Sequence, residues 1–195
     1  MSGPPTPAAG VLALQGDVRE HLRSVKRAGG TAVEVRTQAD LDSIDALIIP
    51  GGESTTIGRL ANLYGLVDPL RKHIRSGMPT LGTCAGMIFL ASAVTEGAQT
   101  QLGVLDMVVE RNAYGRQNES FECELAVEGW DEEVHAVFIR APLVHSTGPD
   151  IEILARHRGR PVLVRKDRIL ASSFHPELTS DMRLHRMLLD MVGRD

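Results

Sequence analysis

Along the first hundred residues, short unbroken apolar runs alternate with longer segments in which apolar positions recur every three or four residues. The runs Gly10 to Leu14 (GVLAL) and Ala46 to Ile49 (ALII) predict strands covered on both faces, as in a parallel sheet. Between them, Asp17 to Ala28 predicts a helix. Val18, Leu22, Val25 and Ala28 form its apolar stripe, Asp17 is the N-cap with Glu20 three residues on, and Gly29-Gly30 end it. Thr31 to Val35 predicts a strand, followed by a short polar connection that is partly helical. Val67 to Ser76 predicts a helix with Pro69 tolerable in its first turn and Gly77 after its end. Thr80-Leu81 then predicts a strand and Ala85 to Val94 a helix.

This alternation is that of a doubly wound α/β fold, with a mostly parallel central sheet and helices on both faces. From Val104 to Lys166 the texture changes to short apolar stretches separated by turn residues, which predict additional, shorter, antiparallel strands. Ile169 to Phe174 predicts a last strand, and Asp181 to Val192 a terminal helix capped by Thr179 or Ser180. Residues 1–9, with Pro4, Pro5 and Pro7, predict a flexible tail, and residues 10–195 a single domain without repeat or linker.

Composition narrows the function classes. In 195 residues, 43% hydrophobic, one sizeable core is expected. A formal net charge of -4 gives no electrostatic reason to expect nucleic acid or an anionic membrane as partner. No apolar stretch approaches the roughly 20 residues of a membrane helix, and the start lacks the basic and apolar regions of a signal peptide. The expectation is a soluble cytoplasmic protein. Two cysteines, Cys84 and Cys123, do not make a disulfide framework, and Cys123 reads as structural.

The chemistry concentrates at Gly82-Thr83-Cys84-Ala85-Gly86, a G-x-C-x-G between a predicted strand and a predicted helix. Such a junction puts the cysteine on a tight turn at a helix N-terminus, where the thiolate is favoured and small neighbours admit a substrate. By itself the same stretch also fits a buried packing cysteine. Among seven histidines, most sit among charged residues and read as solvated side chains. His175 differs, because Phe174-His175-Pro176-Glu177 follows an apolar strand at another carboxyl end of the sheet. In an extended segment His175 and Glu177 would project to the same side, letting Glu177 fix the imidazole tautomer. With Cys84 this makes a candidate nucleophile, base and orienter. Pro50-Gly51-Gly52-Glu53-Ser54-Thr55-Thr56 is a loop and helix start at a third carboxyl end. The N–H groups of Gly52 and Ala85 are the natural donors for an oxyanion. No P-loop, no dinucleotide fingerprint and no metal-ligand spacing occurs, so neither metal nor nucleotide cofactor is expected.

The segments GVLALQGDVREH, PGGESTT, GTCAG, ERNAYGRQ, FIRAP and SFHPEL occur here in the order found in class I glutamine amidotransferases. The chain resembles that family from about Gly10 to its C-terminus, and within it the glutaminase subunits of pyridoxal 5'-phosphate synthase. The resemblance implies a flavodoxin-like fold and hydrolysis of L-glutamine to glutamate and ammonia through a γ-glutamyl thioester. It implies a Cys84, His175, Glu177 triad, and glutamine contacts from Gly52, Glu53, Ser54, Arg111, Ile139 and Arg140. It also implies a protein partner, the synthase subunit, which makes pyridoxal 5'-phosphate from ribose 5-phosphate and glyceraldehyde 3-phosphate. Gln15 and Arg19-Glu20-His21 are the expected partner contacts. Two other readings share the fold: a non-catalytic binding module, and a cysteine hydrolase of another specificity. The intact triad argues against the first and the glutamine motifs against the second.

Overall fold

The computed structural model describes residues 5–111 and 120–193, so part of the ERNAYGRQ segment lies outside the described residues. Chain order gives β1 (Ala8–Leu12), α1 (Val18–Ala28), β2 (Thr31–Val35), α2 (Gln38–Asp42), β3 (Ala46–Ile49), α3 (Ser54–Leu63), α4 (Val67–Arg75), β4 (Thr80–Thr83) and α5 (Ala85–Leu90). Then follow β5 (Ala91–Val94), β6 (Leu105–Glu110), β7 (Ser120–Leu125), β8 (Val134–Ile139), β9 (Leu143–Thr147), β10 (Glu152–His157), β11 (Arg160–Lys166), β12 (Ile169–Ser172) and α6 (Arg183–Leu189).

Seven strands form the main sheet in the order β10-β11-β12-β4-β3-β1-β2. Five of them, β2, β1, β3, β4 and β12, are parallel, and β11 and β10 extend the edge antiparallel. The unbroken apolar runs are what a sheet buried on both faces requires. Along β3, Leu47 and Ile49 pack into one core with α2 to α5, while Ala46 and Ile48 pack into the other with α1, α6 and the β7–β8 hairpin. The class expected from the sequence is therefore the class observed.

The differences are local. β1 starts at Ala8, so the ladder reaches two residues into the segment read as a tail, and Ala8 N–H is held by Asp45 at 2.8 Å. The helix after Cys84 ends at Leu90 instead of running to Val94. Ala91 turns extended, and residues 91–94 pair in parallel with β6. An apolar stretch buried on all sides carries no periodicity that separates helix from strand. β9, unpredicted, closes that small sheet antiparallel to β6. α6 is shorter than expected at both ends. Neither Thr179 nor Ser180 caps it, and Asp181 Oδ1 instead accepts from Arg183 N–H at 2.9 Å.

Candidate active site

The carboxyl ends of β1, β3, β4 and β12 converge, and the four loops leaving them build one site. At the first, Asp17 N–H donates to Gly51 O at 3.1 Å, and Gln15 Oε1 accepts from Glu53 N–H at 2.7 Å. The turn after β1 therefore clamps the loop after β3. The approach is close enough that a Cβ on Gly16, whose φ is 103°, would lie 1.7 Å from Gly51 O. Asp17 sits at the N-cap position of α1 but makes no side-chain cap bond. Its carboxylate turns instead toward His175, Oδ2 lying 3.4 Å from Nδ1.

Cys84 connects β4 to α5 with φ 49° and ψ -103°, a conformation that costs a side-chain-bearing residue of order 1–3 kcal/mol and is held only by its surroundings. Those surroundings are visible. Cys84 N–H donates to Ser172 O at 2.8 Å, fastening the turn to β12, and Gly86 lies so close to β3 that a Cβ there would be 2.1 Å from Ile49 O. In-helix bonding starts with Ile88 N–H to Cys84 O, so Ala85 N–H belongs to the unpaired first turn. Cys84 is 7% exposed, and its Sγ lies 3.9 Å from Ile139 O.

His175 follows β12 and its N–H donates to Val137 O at 2.8 Å, tying it to β8, whose end supplies Ile139 and Arg140. The step from His175 to Glu177 is not extended. Pro176–Leu178 forms a 3-10 turn, and the turn, not strand alternation, brings His175 Nδ1 to 2.7 Å from Glu177 Oε1. Both side chains are nearly sealed from solvent. Burial opposes a charge on His175, but Asp17, Cys84 and Glu177 outweigh it and push its pKa up to about 12. Burial pushes the Glu177 carboxyl up as well, against the pull of His175. Asp17, His175 and Glu177 present three ligand atoms within 4.8 Å of one another. With its pKa pushed up to about 12, His175 carries a proton on Nδ1 toward Glu177 and presents no free lone pair there to a metal.

Asp17, Gly52, Glu53, Ser54, Cys84, Ala85, Ile88, Arg111, Ile139, Arg140 and His175 line a cleft of about 310 Å³. Every site residue expected from the sequence is thus at this cleft, with Glu177 directly behind His175. Their present engagements differ. Glu53 is the N-cap of α3: its carboxylate accepts from the N–H and hydroxyl groups of both Thr55 and Thr56. Burial works against its charge, yet these donors hold its pKa down to about 2. Arg111 approaches it at 3.9 Å, Ser54 donates its hydroxyl to Gln99 Oε1 at 3.2 Å, and Arg140, with φ 44°, is exposed at the rim.

Three residues differ in the structure from what their local sequence predicts. Asp17, seen as a cap, belongs to the site, and its only signal was its place directly after a strand end. His21 and His185, read as solvated, are both fully buried, and His21 Nε2 lies 3.3 Å from Glu177 Oε2. His21 is therefore not a surface contact for a partner, whereas Arg19 is exposed.

A strained cysteine at a strand-to-helix turn lines the same cleft as an imidazole bonded to a buried carboxylate, the arrangement that an α/β enzyme with a cysteine nucleophile requires. Residues 11–194 match the model of the SNO glutamine amidotransferase family, and the chain belongs to that family. It is 55% identical over 189 residues to a protein of Parafrankia sp. named "Pyridoxal 5'-phosphate synthase subunit PdxT", covering 95% of this chain and 93% of the relative. A protein of the same name from Streptomyces avermitilis is 54% identical, covering 96% and 94%. Among solved structures, one described as a glutamine amidotransferase superposes with a TM-score of 0.91 at 54% identity, covering 95% of this chain and 99% of that one. PurLQS from Thermotoga maritima shares the fold at a TM-score of 0.68 and 16% identity, covering 96% and 97%.

Proposed function

We propose that the chain hydrolyses L-glutamine to L-glutamate and ammonia, with Cys84 as nucleophile, His175 as acid and base, and Glu177 as the group that orients His175. The observation that carries this reading is the strained Cys84 turn set against a His175 whose Nδ1 is bonded to buried Glu177, in a cleft flanked by Arg111 and Arg140.

The raised pKa of His175 favours an imidazolium at neutral pH, a cation placed to pair with the thiolate that Cys84 must become to attack. The thiolate attacks the side-chain amide carbon of glutamine, and the N–H groups of Gly52 and Ala85 receive the developing oxyanion. His175 gives its Nε2 proton to the departing nitrogen, so ammonia leaves and a γ-glutamyl thioester remains. Now neutral, His175 takes a proton from water, whose oxygen attacks the thioester; glutamate leaves and the thiolate and imidazolium return. Glu177 holds the same proton on Nδ1 throughout. Arg111 and Arg140 suit the α-carboxylate of glutamine, while the Ile139 carbonyl, Glu53 and Ser54 suit its ammonium group.

Ammonia released into water at neutral pH becomes almost entirely ammonium and loses its nucleophilicity. The relatives' name as a synthase subunit supports a second polypeptide that consumes it, the synthase subunit making pyridoxal 5'-phosphate. Among the described residues no helix is long and apolar enough to cross a membrane, and both cysteines are unpaired, which suits a reducing cytoplasm. Glutamate release from glutamine, with and without the synthase subunit, tests the reading. Wild type should release glutamate and Cys84→Ala should not, and equal release by the two would overturn the mechanism.

A further inference from the structure

Behind Glu177 the polar chain continues into the core. His21 Nε2, on the first turns of α1, lies 3.0 Å from Thr83 Oγ1 and 3.3 Å from Glu177 Oε2. His21 Nδ1 lies 3.1 Å from Nε2 of His185 on α6. Both imidazoles are fully buried, and His185 Nδ1 has no hydrogen-bond partner among the described residues. Burial pushes the pKa of His21 well below its ordinary value, helped by His185 and His175, and pushes that of His185 down to about 4. Each ring is therefore neutral at pH 7 and carries one proton.

Two assignments of those protons fit the distances. In one, His21 carries its proton on Nδ1 and donates to His185. His21 Nε2 then turns a lone pair toward the Glu177 carboxylate, and His185 keeps an N–H with nowhere to donate. In the other, His185 Nε2–H donates to His21 Nδ1, and His21 Nε2–H faces Thr83 Oγ1 and Glu177 Oε2. Here Nε2–H donates to Thr83 Oγ1 and turns its positive edge toward Glu177 Oε2, which has no hydrogen-bond partner of its own among the described residues; the other atom left without one is an acceptor on His185, the less costly omission. The carboxylate decides for the second.

We propose that His21 is a positioning residue for the glutaminase reaction: oriented by His185 from α6 and anchored on Thr83, its Nε2–H lies 3.3 Å from the otherwise unpartnered outer oxygen of Glu177 and holds that carboxylate in place against His175. The site then has one more layer, running His185, His21, Glu177, His175 and Cys84 from the core to the cleft. The inference rests on the glutaminase reading. It predicts that without His21 the Glu177 carboxylate is no longer fixed against His175, and the imidazole no longer supports the reactive form of Cys84.

The experiment compares the full chain with its His21→Leu, His21→Gln and Cys84→Ala variants in synthase-stimulated glutaminase activity and in the pH dependence of alkylation by iodoacetamide. His21→Leu should lower kcat about 10-fold with little change in KM, the scale of taking one polar neighbour from a buried charged group. It should also move the rise of alkylation to higher pH. His21→Gln, whose amide can donate from the same side, should recover much of both. Equal behaviour of the Leu and Gln variants, or an unmoved alkylation profile, would overturn the proposal. A nitrogen-15 NMR spectrum of the wild type needs no variant to fold: a neutral His21 protonated on Nε2 is expected, and protonation on Nδ1 overturns the proposal. Cys84→Ala separates the two ideas, since full activity there removes the glutaminase reading and leaves the His21 tautomer as a separate observation.

Discussion

Replacing Gly51 by alanine tests the site geometry with a single methyl group. Its φ lies outside the left-handed region, so the backbone itself tolerates a side chain. The obstacle is space: a Cβ there would lie 2.5 Å from His175 Cε1, 3.0 Å from its Nδ1 and 2.9 Å from Asp17 Oδ2. Ordinary contact begins at 3.4 Å, so imidazole and loop must separate by about 1 Å. The loop does not retreat freely, because Gly51 O accepts from Asp17 N–H and Glu53 N–H is held by Gln15. Most of the movement therefore falls on His175 and breaks its 2.7 Å bond to Glu177. Misplacing a catalytic group by about 1 Å costs about 100-fold, or about 2.7 kcal/mol of transition-state stabilisation. We expect Gly51→Ala to lower kcat by that factor, measured as glutamate release with the synthase subunit present, while its thermal midpoint stays near that of the wild type. A variant within threefold of wild type in kcat, or one whose loss follows global unfolding, would refute the reasoning.

Three further outcomes follow from the same contacts. Glu177→Gln removes the charge that supports the imidazolium and should reduce kcat by about 100-fold or more, checked by steady-state kinetics. Gly86→Ala should destabilise the fold by about 1–3 kcal/mol in urea titration, since its Cβ would meet the backbone carbonyl of Ile49 at 2.1 Å; an unchanged midpoint contradicts that packing. Glu53 has a folded pKa of about 2 against an ordinary 4.5. Its contribution to stability is therefore present above about pH 4.5 and is lost as pH falls toward 2. The urea midpoint of wild type should drop more steeply across that window than that of Glu53→Gln, and parallel curves would exclude Glu53 as the source.

Much of this architecture is local information. A parallel sheet buried on both faces demands unbroken apolar runs such as GVLAL and ALII, and the Cys84 turn, packed against β3, demands glycine at position 86. Strand ends mark the ligand side of such a sheet, so Gly51-Gly52, Cys84 and His175 are legible in the sequence as one candidate site. The helix after Cys84 was legible only in its beginning. Where every side chain is buried, helix and strand differ in nothing the pattern records, and pairing with β6 decided for a strand at Ala91.

What the tertiary structure alone decided concerns polar groups whose meaning depends on distant neighbours. The carboxylate of Asp17 passes over its own helix for an imidazole 158 positions away, and His21 meets His185 across 164 positions. Nothing within a few residues distinguishes such a histidine from a solvated one; only the docking of α1 and α6 on one face of the sheet removes both from water. His175 and Glu177 lie in between. Their partnership was visible as a spacing of two, but a 3-10 turn around Pro176, and not an extended strand, joins them. The sequence thus determined the residue types and the end of the sheet where they gather, because burial and turn chemistry are written locally. The order of the chain from core to thiol was decided by packing, because a charge or a tautomer takes its value from every group that surrounds it.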